Sequence, residues 1–504
     1  MNKRVRFAPS PTGLFHVGSA RIALANYLFT KKEDSFVLRI EDTDQERSEE
    51  KYEKNIIDSL KWLGLDYDEG PQKGGDYGPY RQSERSDTYK RYIKKLLVED
   101  HAYRCFCSQK KLEKERERQR KKGEAPTYSG VCRDFGEDEI KEKLEKGKSF
   151  VIRMKVKEGE VVKFKDLIRG EVSFETEIMG DYVIAKDEKS PLYNLACAID
   201  DYEMNISHVI RGEDHISNTP KQILIQKALK FDPITYAHLP LILAPDKSKL
   251  SKRFGAVSVS EYKKEGFLPE ALVNFLALLG WSPGDDREFF TLTELKKEFT
   301  MDRCKKAGAV FNKEKLEYIN TLHLKEADPE RLTKLCIPYL VEEGYLKPAD
   351  DRKEKTSLGN EAPKANYETD DGREFSFSVL NILVKDHQDR ITTLSEITEV
   401  TDYFFKPVNV DFKLLQWKDM SPEEVADSID KAKKVLSNIE NWAQDEVSEK
   451  LLEKANEYDD RGKFLWPLRA ALTGKEASAG PFEVAYILGK KESSSRLKEA
   501  KKVL

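Results

Sequence analysis

His16 and Gly18 stand two residues apart in FAPSPTGLFHVGSARIALANYLF (Phe7–Phe29), where a stretch broken by proline and glycine gives way to an amphipathic run. The run predicts a helix opening at about Ser19. The unpaired N–H groups and positive dipole end of a helix start attract phosphate. An imidazole at that mouth can donate to phosphate oxygens. Gly18, with no side chain, leaves room for a flat base. A helix cap is the other reading of His16. A second segment, DKSKLSKRFG (Asp246–Gly255), places Lys247, Lys249, Lys252 and Arg253 on one loop with Ser248 and Ser251. Such a loop can clamp triphosphate charge as it develops in a transition state. A solvated surface loop is its alternative. The chain holds no GxxxxGKS/T motif, which argues against a Walker-type ATPase.

A third cluster is made of thiols. Cys105 and Cys107 are followed, after 24 intervening residues, by Cys132. Zinc takes four ligands, usually Cys and His. The candidates for the fourth are Asp134 and, as the alternative, Tyr128. Three reduced cysteines in a small insertion are the other reading.

Elements must bring these residues together. RVRFAP reads as a strand with Val5 and Phe7 on one face, and SFVLRIE as a second. SEEKYEKNIIDSLKWLGL reads as a helix with Ser48 as its N-cap and Ile56, Leu60 and Leu63 at helical spacing. Strand, helix, strand, helix at this pace predicts a parallel sheet. From about Cys105 the rhythm stops. KKLEKERERQRKKGE reads as a charged helix, and FVIRMKV, VVKFKDLIRGEVSF and YVIAKD as short strands of an inserted α+β unit. The rhythm returns with SHVIRGEDHISNTPKQILIQKALKF, whose helix opens at Thr219-Pro220, and AHLPLILAPD reads as one more buried strand. After about Glu261 the composition turns helical, and 346–375 reads as an exposed linker or long loop. In open parallel sheets ligands sit at the carboxyl ends of strands, where PSPTGLFHVGS, GEDH (Gly212–His215) and DKSKLSKRFG all fall.

With 504 residues the chain is too long for one core, so two to four domains are expected. Its 87 basic and 91 acidic residues nearly cancel. Any polyanion must therefore be held by local basic patches. Neither a signal peptide nor an apolar run of membrane-span length is read, and six cysteines in this length fit a reduced, cytoplasmic setting rather than a disulfide framework.

HVGS near the start and KLSKR some 230 residues later resemble the HIGH and KMSKS signatures of class I aminoacyl-tRNA synthetases. More narrowly, RFAPSPTGLFHVGSAR, RIEDTD, PYRQSER, VIRGEDHISNTP and KLSKRFGA resemble the bacterial-type glutamyl-tRNA synthetases. The resemblance is specific from Arg4 to about Trp281 and weaker beyond, including GPFEVAYILGK. It implies a Rossmann-like doubly wound sheet over 1–104 and 197–260 and an inserted acceptor-binding unit over 105–196. It further implies a helical stem-contact region over 261–325 and an all-helical anticodon-binding region over 326–504.

The resemblance also implies site roles. His16, Gly18, Lys249 and Lys252 would be catalytic. ATP, with Mg²⁺ bridging its phosphates, would meet Pro11, Thr12, His16, Gly18, Ser19, Gly212, Glu213, Asp214, His215, Lys249, Ser251 and Lys252. Glutamate would be held by Arg6, Ala8, Ser10, Glu41, Tyr193, Cys197 and Arg211. Glu41 would take the α-ammonium and Arg211 the side-chain carboxylate, since a planar guanidinium fork suits two oxygens. The partners implied are tRNA(Glu), glutamate and ATP, acting on a cytoplasmic monomer, with a structural zinc ion at the thiols. A non-discriminating enzyme that also charges tRNA(Gln), and a glutaminyl-tRNA synthetase, are the alternatives. The second would not need Arg211 as a charge partner.

Overall fold

The structure, a computed structural model, describes residues 2–124, 126–248, 250, 253, 257–349 and 366–504. Lys249, Ser251 and Lys252 lie outside them, as does most of the 346–375 stretch. The chain divides into two compact units, one of Met1–Lys263 with Pro269–Leu316 and one of Lys264–Leu268 with Glu317–Leu504.

The first unit is built on a six-stranded sheet. Its spatial order is Ser35–Leu38, Arg4–Phe7, His208–Gly212, Thr235–Leu239, Val161–Asp166 and Gly170–Glu175. The first four run parallel, as the strand–helix rhythm predicts. Val5, Val37, Val209 and Ile210 are fully buried, as strands covered on both faces require.

The last two strands are a hairpin from within the expected insertion. It pairs antiparallel with itself and joins the parallel sheet through Asp166 beside Tyr236. The inserted stretch is therefore not a wholly separate unit. Its remaining strands, Ala102–Cys105, Val151–Met154 and Val183–Ala185, form their own antiparallel sheet. Leu239 and Ile242 belong to two strands, since Pro240 divides the single strand read in AHLPLILAPD.

Two helix starts differ from expectation. The first helix runs Val17–Phe29, not from Ser19, because the Nδ1 of His16 accepts from the Gly18 N–H at 3.0 Å and caps it. The second runs Glu50–Trp62, with Glu49 rather than Ser48 at the cap position and no side-chain capping bond. The helix Thr219–Leu229 has its proline in the first turn, as read.

The second unit is mainly helical. Its longest members are Pro329–Glu342 and Pro422–Ser437, and the stretch Pro481–Ala500 is two helices that meet at a non-helical Gly489 (φ 79°). Leu380, Phe404, Val425, Ile429, Phe464, Leu468 and Leu497 form a dry interior. One short antiparallel sheet, Lys347–Pro348, Asn366–Glu368 and Glu374–Ser376, stands among the helices. Its strands occupy the described ends of the stretch read as a linker. Among the described residues no helix is long and apolar enough to cross a membrane.

Candidate active site

A cavity of about 550 Å³ opens at the carboxyl ends of the parallel strands. The sequence-predicted residues Arg6, Ala8, Ser10, His16, Gly18, Ser19, Glu41, Tyr193, Arg211, Gly212, Asp214 and His215 all line it. Pro11, Thr12, Cys197 and Glu213 do not. Arg21, Ile22, Asn218, Pro240, Leu241 and Leu250 also line it and were not singled out in the sequence.

Glu213 is turned away from the cavity for a clear reason. One carboxylate oxygen accepts the Leu241 N–H at 2.6 Å and the other accepts from Arg169. Both oxygens are taken by protein, so the Glu213 side chain clamps the chain at Leu241. Cys197 is fully buried behind Arg6 and Arg39, whose guanidinium nitrogens lie 3.9 and 3.7 Å from its sulfur. Burial, strengthened by Asp201 and Glu41, pushes its thiol up to about 12. It packs neutral and does not face the cavity.

Local helix geometry explains one wall. Tyr193, Cys197 and Asp201 sit one turn apart on the helix Tyr193–Glu203 and share a face. Asp201 Oδ1 accepts from Arg6 Nε at 3.1 Å and from Arg39 Nη1 at 2.7 Å. Arg39 Nη2 donates to Glu41 Oε1 at 2.9 Å. Two guanidiniums and two carboxylates thus alternate under the cavity floor, which is how buried charge is tolerated. Burial works to raise the Asp201 carboxyl, but the two arginines outweigh it and hold it at about 2. Burial raises Glu41 above the ordinary carboxylate range, with Arg39 opposing. The neighbouring Asp200 turns the other way. It accepts from Gln82 and Tyr89 at 2.8 Å and from Arg85 at 2.7 Å, which anchors PYRQSER. Arg39 and Asp201 were missed in the sequence, although Arg39 stands inside RIEDTD.

Arg211 differs from Arg6. It is 5% exposed, yet its hydrogen-bond partners are His238 Nε2 at 3.1 Å, Thr219 Oγ1 at 2.9 Å and the Tyr193 hydroxyl at 3.5 Å. Among the described residues no carboxylate lies within ion-pair distance of it. Tyr193 in turn meets His215 Nδ1 at 3.0 Å. Burial, aided by the Arg211 charge, lowers His215 to about 4, so its ring is neutral at pH 7.

The helix mouth forms the opposite wall. With Nδ1 accepting from Gly18, a neutral His16 ring carries its proton on Nε2. A Cβ on Gly18 would come within 3.2 Å of the His16 ring, which gives that position a steric reason for glycine. The described residues flanking the KLSKR stretch are tied to this mouth. Leu250 lines the cavity, Val17 N–H donates to Val257 O at 2.9 Å, and Val259 N–H donates to Phe15 O at 2.9 Å.

The thiols converge elsewhere in the same unit. The sulfurs of Cys105, Cys107 and Cys132 lie within 4.8 Å of one another, with Cys107 and Cys132 3.6 Å apart. Sulfurs on a tetrahedral zinc with bonds of about 2.3 Å stand about 3.8 Å apart, so the trio fits. The Tyr128 hydroxyl is 3.4 Å from Cys105 and Cys107 and accepts the Cys132 N–H at 3.0 Å. Asp134 is exposed and outside the group. The position beside the sulfurs is therefore the tyrosine's.

Comparison with known proteins covers all of these parts. The family described as tRNA synthetases class I (E and Q), catalytic domain, matches residues 2–318. The anticodon binding domain family matches residues 331–501. A glutamate--tRNA ligase of Natranaerobius thermophilus is 41% identical, covering 98% of this chain and 97% of that protein. One of Desulforamulus reducens is 42% identical over the whole of both. The crystal structure of a glutamate tRNA ligase from Elizabethkingia meningosepticum, in complex with its amino acid, aligns over the whole of both chains with a TM-score of 0.83 at 32% identity. The match takes in every wall of the cavity and continues through the helical unit, and the chain belongs to the class I tRNA synthetases (E and Q).

Proposed function

We propose that this protein attaches L-glutamate to tRNA(Glu) in two steps, the first of which consumes ATP. The observation that carries the reading is Arg211, a buried guanidinium on the cavity wall held by neutral partners alone. An acidic side chain completes it. Glutamine would leave the charge unmatched, and a missing buried charge partner costs about 3–5 kcal/mol, or about 10²–10⁴ in rate. The names of the relatives support the same substrate.

Glutamate then lies with its side-chain carboxylate on Arg211, its α-ammonium on Glu41 and its α-carboxylate toward Arg6. The α-carboxylate is already ionised, so the first step needs no general base. Its oxygen attacks the α-phosphorus of Mg-ATP, the bond to the β-phosphate oxygen breaks, and pyrophosphate leaves. Catalysis rests on alignment and on stabilising phosphate charge. His16 Nε2–H would donate to the phosphates, and the positive end of the Val17–Phe29 helix favours their charge, although its Val17 and Gly18 N–H groups already donate to Val257 O and His16 Nδ1. Lys249 and Lys252 supply further cations in this reading, which for them rests on the sequence alone. In the second step a hydroxyl of the terminal ribose of the tRNA attacks the glutamyl carbonyl and AMP leaves. The stretch 105–196 meets the acceptor end, 261–325 the stem and 326–504 the anticodon. Cys105, Cys107, Cys132 and Tyr128 would hold a zinc ion that pins the inserted stretch.

The test is aminoacylation with purified tRNA(Glu) and tRNA(Gln), offering glutamate and glutamine separately. Glutamate accepted on tRNA(Glu) and glutamine refused is the expected result. Glutamine charged at a comparable rate would remove the reading.

A further inference from the structure

Asp166 and His238 are both fully buried and lie behind Arg211, away from the substrate. Asp166 ends the strand Val161–Asp166 of the hairpin that joins the main sheet. His238 is on the adjacent strand Thr235–Leu239. Phe164 and Tyr236 close the surroundings with rings 6.3 and 6.2 Å from the imidazole. With both side chains buried, the hydrogen bonds around them are ordered by the protein's own donors and acceptors. Asp166 Oδ1 accepts the backbone N–H groups of Ile168 at 2.9 Å, Arg169 at 2.8 Å and His238 at 3.3 Å. Its other oxygen, Oδ2, takes His238 Nδ1–H at 2.6 Å. That leaves His238 Nε2 as a lone pair, and it faces Arg211 Nε–H at 3.1 Å and the Thr219 hydroxyl at 3.1 Å.

We propose that Asp166 and His238 are positioning residues for Arg211. Asp166 fixes the histidine proton on Nδ1, and Nε2 then accepts from Arg211 Nε and sets the plane of the guanidinium, with Nη2 on Thr219 Oγ1 and Nη1 beside the Tyr193 hydroxyl on the cavity wall. Arg has no acceptor of its own, so its plane is set by whichever lone pairs surround it. Here Nε2 supplies one and Thr219 another. The nearest carboxylate on this chain of bonds is one imidazole away, which leaves the front of Arg211 for the substrate.

The proposal rests on the reading of Arg211 as the side-chain contact, and its key variant is Asp166→Asn. An asparagine must keep its oxygen on the three backbone N–H groups. Its NH₂ then faces His238 Nδ1, which becomes the acceptor. The histidine proton moves to Nε2 and confronts Arg211 Nε–H, donor against donor. His238→Gln should escape this dependence, because its amide oxygen can accept from Arg211 whatever stands at 166.

The experiment is steady-state charging of tRNA(Glu) by the full chain, with KM measured for glutamate and for ATP. Asp166→Asn should raise the glutamate KM about 10–100-fold, the range outer-shell partners carry at metal sites, with the ATP KM unchanged. Added to His238→Gln, it should cost less than about twofold more. A glutamate KM left intact by Asp166→Asn but raised by Arg211→Ala overturns the relay and keeps the Arg211 reading. A KM left intact by Arg211→Ala overturns both. Equal losses for glutamate and ATP, repeated in the His238→Gln background, mean a structural role only and also overturn it. Should Asp166→Asn fail to fold, the wild-type protein still decides. A nitrogen-15 histidine spectrum, with His238→Gln for assignment among the seven histidines, should show His238 protonated on Nδ1, and a proton on Nε2 refutes the proposal.

Discussion

Arg39 and Glu41, two residues apart on one extended stretch, meet side chain to side chain at 2.9 Å, and only Glu41 reaches the cavity. Arg39 is wholly buried, so the pair carries charge to the cavity wall from below. Burial raises the Glu41 carboxyl above the ordinary range. If its carboxylate holds the substrate ammonium, kcat/KM for glutamate falls as pH drops through that raised value. The acid limb should then begin above the ordinary Glu value of about 4.3. Glu41→Gln should lower kcat/KM about 10²–10³-fold and abolish that limb. A pH profile of kcat/KM on both proteins checks it.

Asp201 carries the opposite sign. Its carboxyl is held at about 2 in the folded protein, below the unfolded value of about 3.9. The stability it contributes is therefore full above about pH 4 and is lost as pH falls through about 2. Asp201→Asn leaves Arg6 and Arg39 sharing a neutral partner in a dry interior and should cost about 3–5 kcal/mol at pH 7. Urea unfolding of the two proteins at pH 7 should show that gap, and it should narrow in acid.

His16 has two separable tasks. Through Nδ1 it caps the first helix, and in the proposed mechanism its Nε2–H meets phosphate. His16→Ala should lose about 1 kcal/mol of stability and about 10²-fold in adenylate formation. His16→Asn keeps a capping oxygen but not the distal N–H. It should melt near the wild-type temperature yet react as slowly as the alanine variant. Calorimetry with tRNA-dependent pyrophosphate exchange separates the two tasks.

The thiol cluster predicts one equivalent of zinc in the purified protein. Cys107→Ser should lose it, and Asp134→Ala should retain it because Asp134 stands outside the cluster. Elemental analysis after dialysis against a mild chelator gives the answer.

Much of this site could be read from residue order. The strand ends, the helix mouth and the two arginines were placed by motif and period, and twelve predicted residues line one cavity. What escaped has physical reasons. In a chain with 35% charged residues, Arg39 and Asp201 look like surface charges, and only the fold buries them. Glu213 stands inside a motif whose neighbours do line the cavity, but its side-chain direction is set by Arg169 and Leu241, which are distant in sequence. The alternation in VVKFKD announced a strand, whereas its pairing with Tyr236 is a non-local choice that periodicity does not encode. The amphipathic run predicts a first helix opening at about Ser19; it starts at Val17 because the His16 imidazole, whose alternative reading is a cap, takes the N-cap position.

The hairpin Val161–Glu175 makes the inserted stretch inseparable from the catalytic sheet. Trimming the chain to a minimal catalytic core by deleting 105–196 would expose the backbone of Thr235–Leu239 along a raw border, an invitation to intermolecular strand pairing. It would also discard Asp166 and Arg169, the footings beneath His238 and Glu213. A smaller enzyme would have to retain that ribbon.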